Sequence, residues 1–146
     1  MDNANDQIRD FFRLYEANAN AADAEKTAMQ FADIFMAADP NGARAVPASA
    51  LLVALPQRKK LFEEIGASTT TLASFEQTRL DERYVLVRTA WLVVLDKENA
   101  GTKEIGLRST FLIYLSENGP KIVFYLNHED LASSLRAKGL LSSDET

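Results

Sequence analysis

Hydrophobic and polar positions follow a helical period over roughly the first 65 residues and an alternating period after that. Two apolar stripes predict two helices, the first over residues 6–18 and the second after an N-cap at Asp23. The stripes consist of Ile8, Phe11, Phe12 and Tyr15, and of Ala28, Phe31, Ala32 and Phe35. The Asp-Pro-Asn-Gly sequence at 39–42 favours a turn that ends the second helix.

The rest of the chain reads as short helices and then strands. An extended segment is predicted at 44–46, and Pro56 is expected to separate two helical segments, 47–55 and 57–65, before Gly66 ends the second. A period of two then predicts antiparallel strands joined by short turns. These strands cover about 69–80, 84–95, 105–116 and 121–127. A final helix is expected after Asn127.

This order of elements predicts the fold class. Helices followed by a meander of strands favour an α+β fold, with the N-terminal helices packed on one face of a curved, mainly antiparallel sheet. The 146 residues, 47% of them hydrophobic, are enough for one domain with one core. We therefore expect a single domain over residues 1–146.

Composition excludes several classes of function. Sixteen basic and 21 acidic residues give a net charge of −5 without a basic block, so nucleic acid is not an expected partner. The chain has no cysteine, one histidine and no phosphate-binding glycine loop, so neither a metal nor a cofactor is predicted. The N-terminus does not resemble a signal peptide, and the longest apolar runs are too short to cross a bilayer. We expect a cytoplasmic protein without membrane contact.

Each predicted strand divides into two sets, because successive side chains on a strand point to opposite faces. The more apolar set is expected to meet the helices, and it consists of Phe75, Val85, Val87, Thr89, Trp91, Val93, Leu95, Ser109, Phe111, Ile113, Leu115, Ile122, Phe124, Leu126 and His128. Within it, three aromatic and two small polar residues form either the wall of a ligand pocket or part of a filled core. These five are Trp91, Phe111, Phe124, Thr89 and Ser109.

The opposite face combines charge with large apolar side chains, and it consists of Glu76, Leu86, Arg88, Ala90, Leu92, Arg108, Thr110, Leu112, Tyr114, Val123 and Tyr125. Contiguous apolar patches usually mark a contact surface. We therefore predict a homodimer through this face, centred on Leu86, Arg88, Leu92, Arg108, Leu112 and Tyr114. The alternative is a monomer in which the arginine stems cover the aromatic rings.

The order of elements from about Asp6 to Leu135 resembles that of the nuclear transport factor 2-like superfamily, which includes polyketide cyclases and steroid Δ-isomerases. The resemblance implies a cone in which a bent sheet wraps a long helix, with a cavity at the wide end and dimers through the outer sheet face. It specifies the fold rather than the activity, because the superfamily also contains dehydratases, hydrolases, transport factors and association domains.

One local match resembles the steroid Δ-isomerase branch. It consists of the Phe-Ala-Asp sequence at 31–33, the Asp-Pro-x-Gly turn that opens at Asp39, and Tyr15 in the first helix. The resemblance implies Asp39 as a general base and Tyr15 as an oxyanion donor. The second aspartate of that branch is missing, because residues 107–111 contain no acid. The alternative interpretation makes Asp39 a turn residue and Tyr15 a core residue.

Two further sites have alternative interpretations. His128, the only histidine, suits proton transfer, or else it stabilises the start of a helix through a backbone hydrogen bond. The basic run at 58–60 is interpreted as a solvated helix face, with a phosphate or partner contact as the alternative.

The sequence thus favours a domain that binds a small apolar or amphipathic molecule, or that associates as a dimer. The alternative is an enzyme that moves a proton next to a carbonyl, using Asp39 or His128. Convergence of Tyr15, Asp39 and His128 on one cavity would distinguish the two hypotheses.

Overall fold

The computed structural model describes residues 3–97 and 101–129, and it shows helices packed against one six-stranded sheet. The helices are α1 (Asn3–Ala21), α2 (Ala24–Ala28) and α3 (Leu51–Glu64), the last preceded by a 3₁₀ turn at Ala48–Ala50. The strands are β1 (Phe31–Asp39), β2 (Gly42–Pro47), β3 (Ala67–Asp81), β4 (Tyr84–Lys97), β5 (Gly101–Ser116) and β6 (Gly119–Asn127). Their order is β2-β1-β6-β5-β4-β3, antiparallel except for the parallel pair β1–β6. The predicted α+β fold is confirmed.

Helix α1 supplies the centre of the core. Its predicted apolar stripe faces the sheet, and Ile8 and Phe12 are fully buried. The Phe12 ring lies 5.0 Å from that of Phe111 on β5 and 6.0 Å from that of Phe75 on β3. We call the side of the sheet that packs against α1 and α3 the inner face, and the opposite side the outer face.

The predicted second helix is wrong beyond its first turn. Asp23 does cap α2, since its Oδ1 accepts a hydrogen bond from the Lys26 amide at 3.0 Å, but α2 ends at Ala28. Phe31 and Phe35 instead belong to strand β1, where both are buried. A spacing of four residues puts two side chains on one side of either a helix or a strand, so the pattern did not distinguish them. The turn that opens at Asp39 consequently joins β1 to β2 as a hairpin.

Helix α3 passes through Pro56, which was predicted to interrupt it. A proline removes only its own amide donor, and the carbonyl left without that bond is four residues earlier, at Leu52. Leu52 is 44% exposed, so water can replace the missing bond. Gly66 follows the helix with a φ of +79°, which confirms the predicted stop.

The predicted meander of strands is confirmed, with ends that differ by a few residues. Strand β4 pairs with β5 along its full length, and the inner-face side chains of both strands are buried as expected. These are Val85, Val87, Thr89, Trp91, Val93, Leu95, Ser109, Phe111 and Ile113.

A β-bulge in β6 changes which side chains face the helices. Ile113 pairs with Ile122, whereas Leu112 pairs with Phe124, so Val123 is an extra residue on β6. Tyr125 therefore lies on the inner face opposite Phe111, and the two rings stack at 5.0 Å. Residues 124 and 126 lie opposite outer-face residues of β5. The prediction that Phe124 and Leu126 face the helices is wrong.

The predicted final helix after Asn127 lies outside the described residues except for its first two positions, and these two, His128 and Glu129, form a bend after β6. Within the described part of the chain, no helix has both the length and the apolar character that crossing a bilayer requires.

Candidate functional site

A cavity of about 270 Å³ lies between the end of α1, α3 and the inner face of the sheet. Its aromatic lining consists of Tyr15, Phe62, Trp91, Phe111 and Tyr125, and its polar lining includes Asn18, Arg58, Ser109 and Asn127. The volume is close to the lower end of the range of small-molecule sites, about 300 to 1,000 Å³. A mostly apolar wall with a few polar groups is also typical of such sites.

Arg58 reaches this cavity because of its position on α3. Leu51, Leu55, Arg58 and Phe62 follow one another at spacings of four, three and four, which place them on one side of a helix. The Arg58 guanidinium lies 5.1 Å from the centroid of the Phe62 ring and is a neighbour of Tyr125. Lys59 and Lys60 are exposed, as the interpretation of the basic run as a solvated helix face requires. Arg58 is partly buried, so that interpretation is wrong for this residue.

Tyr15, Tyr125 and Arg58 form a polar group at the cavity wall. Burial is the main cause that raises the pKa of Tyr15, and the neighbouring Tyr125 raises it further, while Arg58 opposes both. Burial disfavours the charged guanidinium, but contacts with Tyr125 and Tyr15 outweigh burial and raise the pKa of Arg58. At neutral pH the site therefore combines a protonated Tyr15 phenol with a charged guanidinium.

A chain of hydrogen bonds holds the cavity floor. The Trp91 Nε1–H donates to Thr89 Oγ1 at 2.8 Å, and the Thr89 hydroxyl donates to the Ser109 carbonyl at 2.9 Å. The Ser109 hydroxyl donates in turn to Asn127 Oδ1 at 3.0 Å. Both hydroxyls and the indole N–H are thus used within the protein. Trp91 therefore offers the cavity a fixed aromatic surface.

The predicted ligand-binding residues divide between three places. Trp91, Ser109 and Phe111 line the cavity. Thr89 is buried and supports the Trp91 ring through its hydroxyl. Phe124 lies on the outer face because of the bulge. Tyr125, which was predicted on the outer face, occupies the inner-face position that was expected for Phe124.

The predicted catalytic residues are not brought together. Tyr15 lines the cavity, but Asp39 lies in the β1–β2 turn, where its Oδ1 accepts a hydrogen bond from the Asn41 amide at 2.8 Å. The His128 Nε2 lies 2.7 Å from the hydroxyl of Thr110, a residue of the outer face, and its ring is exposed. His128 therefore does not lie on the inner face as expected. Within residues 3–97 and 101–129, no group of three His, Asp or Glu side chains could hold a metal ion.

Charged side chains at the cavity mouth are engaged elsewhere or exposed. Glu129 accepts hydrogen bonds from the amide and the Nε of Arg108, at 3.0 and 2.9 Å. Burial opposes ionisation of Glu129, but these bonds lower its pKa. Asp23 caps α2, and Lys59 and Glu63 are exposed.

The outer face remains apolar and carries no helix within the described residues. Leu86, Leu92, Leu112 and Tyr114 are only partly buried there, and the Tyr84 and Tyr114 rings lie 5.2 Å apart. Arg88 and Arg108 are exposed on the same face. The bulge adds Phe124 and Leu126, and β1 adds Ile34 and Met36, which are 66% and 39% exposed.

Comparisons with known proteins identify the fold. No family model matches the sequence, and no curated protein matches it. A solved nuclear transport factor 2-like protein with a cystatin-like fold, from Novosphingobium aromaticivorans, is 16% identical, with a TM-score of 0.72 over 94% of this chain and 88% of that chain.

Two further solved structures are similar. Aln2 from a Streptomyces species is 10% identical, with a TM-score of 0.71 over 90% of this chain and 93% of that chain. The beta subunit of the benzoate 1,2-dioxygenase from Burkholderia mallei is 15% identical, with a TM-score of 0.62 over 86% of this chain and 90% of that chain. At these identities the likeness establishes the fold alone, and the predicted nuclear transport factor 2-like fold is confirmed.

Proposed function

We propose that this domain of nuclear transport factor 2-like fold binds a small amphipathic molecule in the cavity between α1, α3 and the inner face. The observation that carries the proposal is the cavity of about 270 Å³, in which an aromatic wall meets the polar group of Tyr15, Tyr125 and Arg58. Flat apolar surface supplies affinity and a few placed polar groups supply orientation, which is how small-molecule sites are usually built.

The construction of the floor supports binding. Trp91 is 6% exposed, so most of its ring packs in the core, and the remaining surface lines the cavity. Its indole N–H is already satisfied by Thr89. A ligand that stacks on this ring therefore buries apolar surface without having to supply an acceptor for the indole.

The enzyme hypothesis has less support. Asp39 is engaged in its own turn, and His128 interacts with an outer-face residue. Tyr15 is the only one of the three predicted catalytic residues on the cavity wall, and a phenol alone supplies no general base at neutral pH.

Association through the outer face is a second proposal, which rests on a separate observation. The face presents a band of partly buried aliphatic and aromatic side chains with two exposed arginines, and no described element covers it. The solved dioxygenase structure of the same fold is a subunit, by its description, which supports association as a use of this fold. The centre of the proposed homodimer surface is Leu112, flanked by Leu86 and Phe124 on the neighbouring strands.

Trp91 gives a direct test of binding, because it is the only tryptophan of the chain and it lines the cavity. Titration with small aromatic and aliphatic compounds should change its fluorescence in a saturable way. A compound at 100 times its Kd should also raise the free energy of unfolding by about 2.7 kcal/mol.

A matched pair of variants locates the binding. Ala19 and Ala17 are both exposed on α1, but only Ala19 lines the cavity. Ala19→Phe should fill the mouth and abolish binding, whereas Ala17→Phe should bind like the unmodified protein. Binding that survives Ala19→Phe, or no binding by any compound, would contradict the proposal.

A further inference from the structure

Arg58 is a cation in the cavity wall that has no anionic partner among the described residues. The ion pairs in that part of the chain are Arg9–Asp6 and Arg108–Glu129, and neither involves Arg58. Its neighbours are the face of Phe62 and the phenol of Tyr125, and neither belongs to an acidic residue. A charge that has lost part of its hydration without gaining a counter-charge is costly, and an anionic group that enters the cavity would remove that cost.

The polar atoms that remain available around Arg58 are donors. A guanidinium can only donate, so towards Arg58 the Tyr125 oxygen acts only as an acceptor. Tyr15 and Tyr125 carry two hydroxyl protons between them, and any bond from one hydroxyl to the other uses only one of these protons. One O–H remains free to donate to a ligand.

Asn127 provides a further hydrogen-bond donor, on the sheet side of the cavity. Its Oδ1 accepts the hydrogen bond of the Ser109 hydroxyl, which leaves its amide N–H groups to point elsewhere. Within the part of the chain that the structure describes, no acceptor is bonded to that amide, and Asn127 lines the cavity. Next to the charge of Arg58, the inner wall thus offers two kinds of neutral donor.

The acidic residues of the lining do not neutralise this arrangement. Glu129 is bound to Arg108, Asp23 accepts the hydrogen bond of a backbone amide in α2, and Glu63 is exposed. None of these contacts reaches the guanidinium of Arg58. The electrostatic preference of the inner cavity is therefore for negative charge.

We propose that the ligand of this cavity is an organic carboxylate with an aromatic or short aliphatic body. Its carboxylate pairs with the guanidinium of Arg58 and accepts a hydrogen bond from a tyrosine hydroxyl, while its body stacks on Trp91. Planar guanidinium groups suit carboxylates because two parallel N–H groups match two oxygens. This inference rests on the proposed function of the cavity and specifies the chemical class of ligand.

The test compares acids with their uncharged amides, which have almost the same shape. Phenylacetate, 2-naphthoate and hexanoate are titrated against phenylacetamide, 2-naphthamide and hexanamide, with Trp91 fluorescence and calorimetry as readouts. The best acid should bind about 10- to 100-fold more tightly than its amide, the range expected for hydrogen bonds to a charged group.

Variants at two positions of α3 assign the preference to one side chain. Arg58→Met should remove the difference between acid and amide by weakening the acid, while the amide keeps its affinity. Arg58→Lys should give an intermediate preference, because it keeps the charge without the planar fork. Lys60→Met is the matched control, since Lys60 is exposed on the same helix and does not line the cavity, and it should retain the full preference.

The outcomes separate the two proposals. Equal affinity of acid and amide for the unmodified protein would overturn the carboxylate inference and leave the cavity as a binding site. A preference that persists in folded Arg58→Met would also overturn it. The comparison in the unmodified protein decides the question if Arg58→Met fails to fold. Failure of every compound to bind would contradict the proposed function itself.

Discussion

The two faces of this sheet are built from alternate residues of the same strands, yet they differ in how their polar groups are satisfied. On the inner face, Trp91, Thr89, Ser109 and Asn127 form one hydrogen-bond chain beneath an aromatic cavity. On the outer face, Arg88 is exposed and Arg108 forms a surface ion pair with Glu129, beside partly buried leucines. The difference fits our two proposals, in which the inner face forms a binding site and the outer face forms a contact surface.

Adjacent residues of β5 give the largest expected contrast. Phe111 is fully buried among the rings of Phe12, Tyr15 and Tyr125, whereas Leu112 is partly buried on the outer face. Phe111→Ala should lower the free energy of unfolding by about 3 to 5 kcal/mol. Leu112→Ala should cost about 1 kcal/mol in the monomer, because less apolar area returns to water. Urea denaturation measures both, and equal costs would contradict the assignment of the faces.

The outer face is tested by its oligomeric state. The unmodified protein should be a dimer at micromolar concentration by light scattering, and Leu112→Glu should convert it to a folded monomer, because a buried unpaired carboxylate is costly. Leu14→Glu is the control, since Leu14 is an exposed apolar residue of α1, 51% accessible. A monomeric unmodified protein would defeat the dimer proposal.

The connection from α3 to β3 sets the position of α3, the helix that carries Arg58. The conformation of this connection depends on Gly66. The Gly66 φ is +79°, and an added Cβ would lie 3.0 Å from the carbonyl oxygen of Asp96. Gly66→Ala should therefore cost about 1 to 3 kcal/mol of stability. Gly106→Ala should cost much less, because no atom lies within 4 Å of the added Cβ and φ there is ordinary. Thermal unfolding of both variants measures the two losses of stability. Similar losses would contradict a special role of Gly66.

The buried phenol on the inner face predicts a pH dependence. The folded state raises the pKa of Tyr15 above its ordinary 10.0, mainly through burial. The unfolded chain therefore loses this proton first, so stability is intact below about pH 10 and falls as the pH rises further. Tyr15→Phe should reduce that fall by up to about 1.4 kcal/mol per pH unit. Urea unfolding at several alkaline pH values tests this. If the free energy of unfolding falls with pH at the same rate in the unmodified protein and in Tyr15→Phe, the phenol is not buried.

The sequence predicted the meander well because β4 and β5 are long runs rich in β-branched, aromatic and aliphatic residues, separated by short polar segments. It mispredicted β1 because Phe31 and Phe35 are spaced in a way that fits both a strand and a helix. That error had a physical cause. Strand β1 pairs in parallel with β6, a segment far away in the sequence. Its extended conformation therefore depends on a contact that local periodicity does not report.

The site itself was predicted in part. Trp91, Ser109, Phe111 and Tyr15 were identified from alternation and from the family resemblance, and they line the cavity. Arg58 was missed although its spacing from Leu55 and Phe62 placed it on the apolar stripe of α3, so a signal was present. Tyr125 had no such signal, because the bulge at Val123 arises from pairing with β5.

The most direct measurement is the NMR signal of the Trp91 indole N–H, a single resonance because the chain has one tryptophan. We expect 2-naphthoate to shift this signal saturably in the unmodified protein and in Ala17→Phe, and to leave it unchanged in Ala19→Phe. An unmoved signal in the unmodified protein, or the same shift in all three proteins, would contradict a ligand-binding cavity on the inner face.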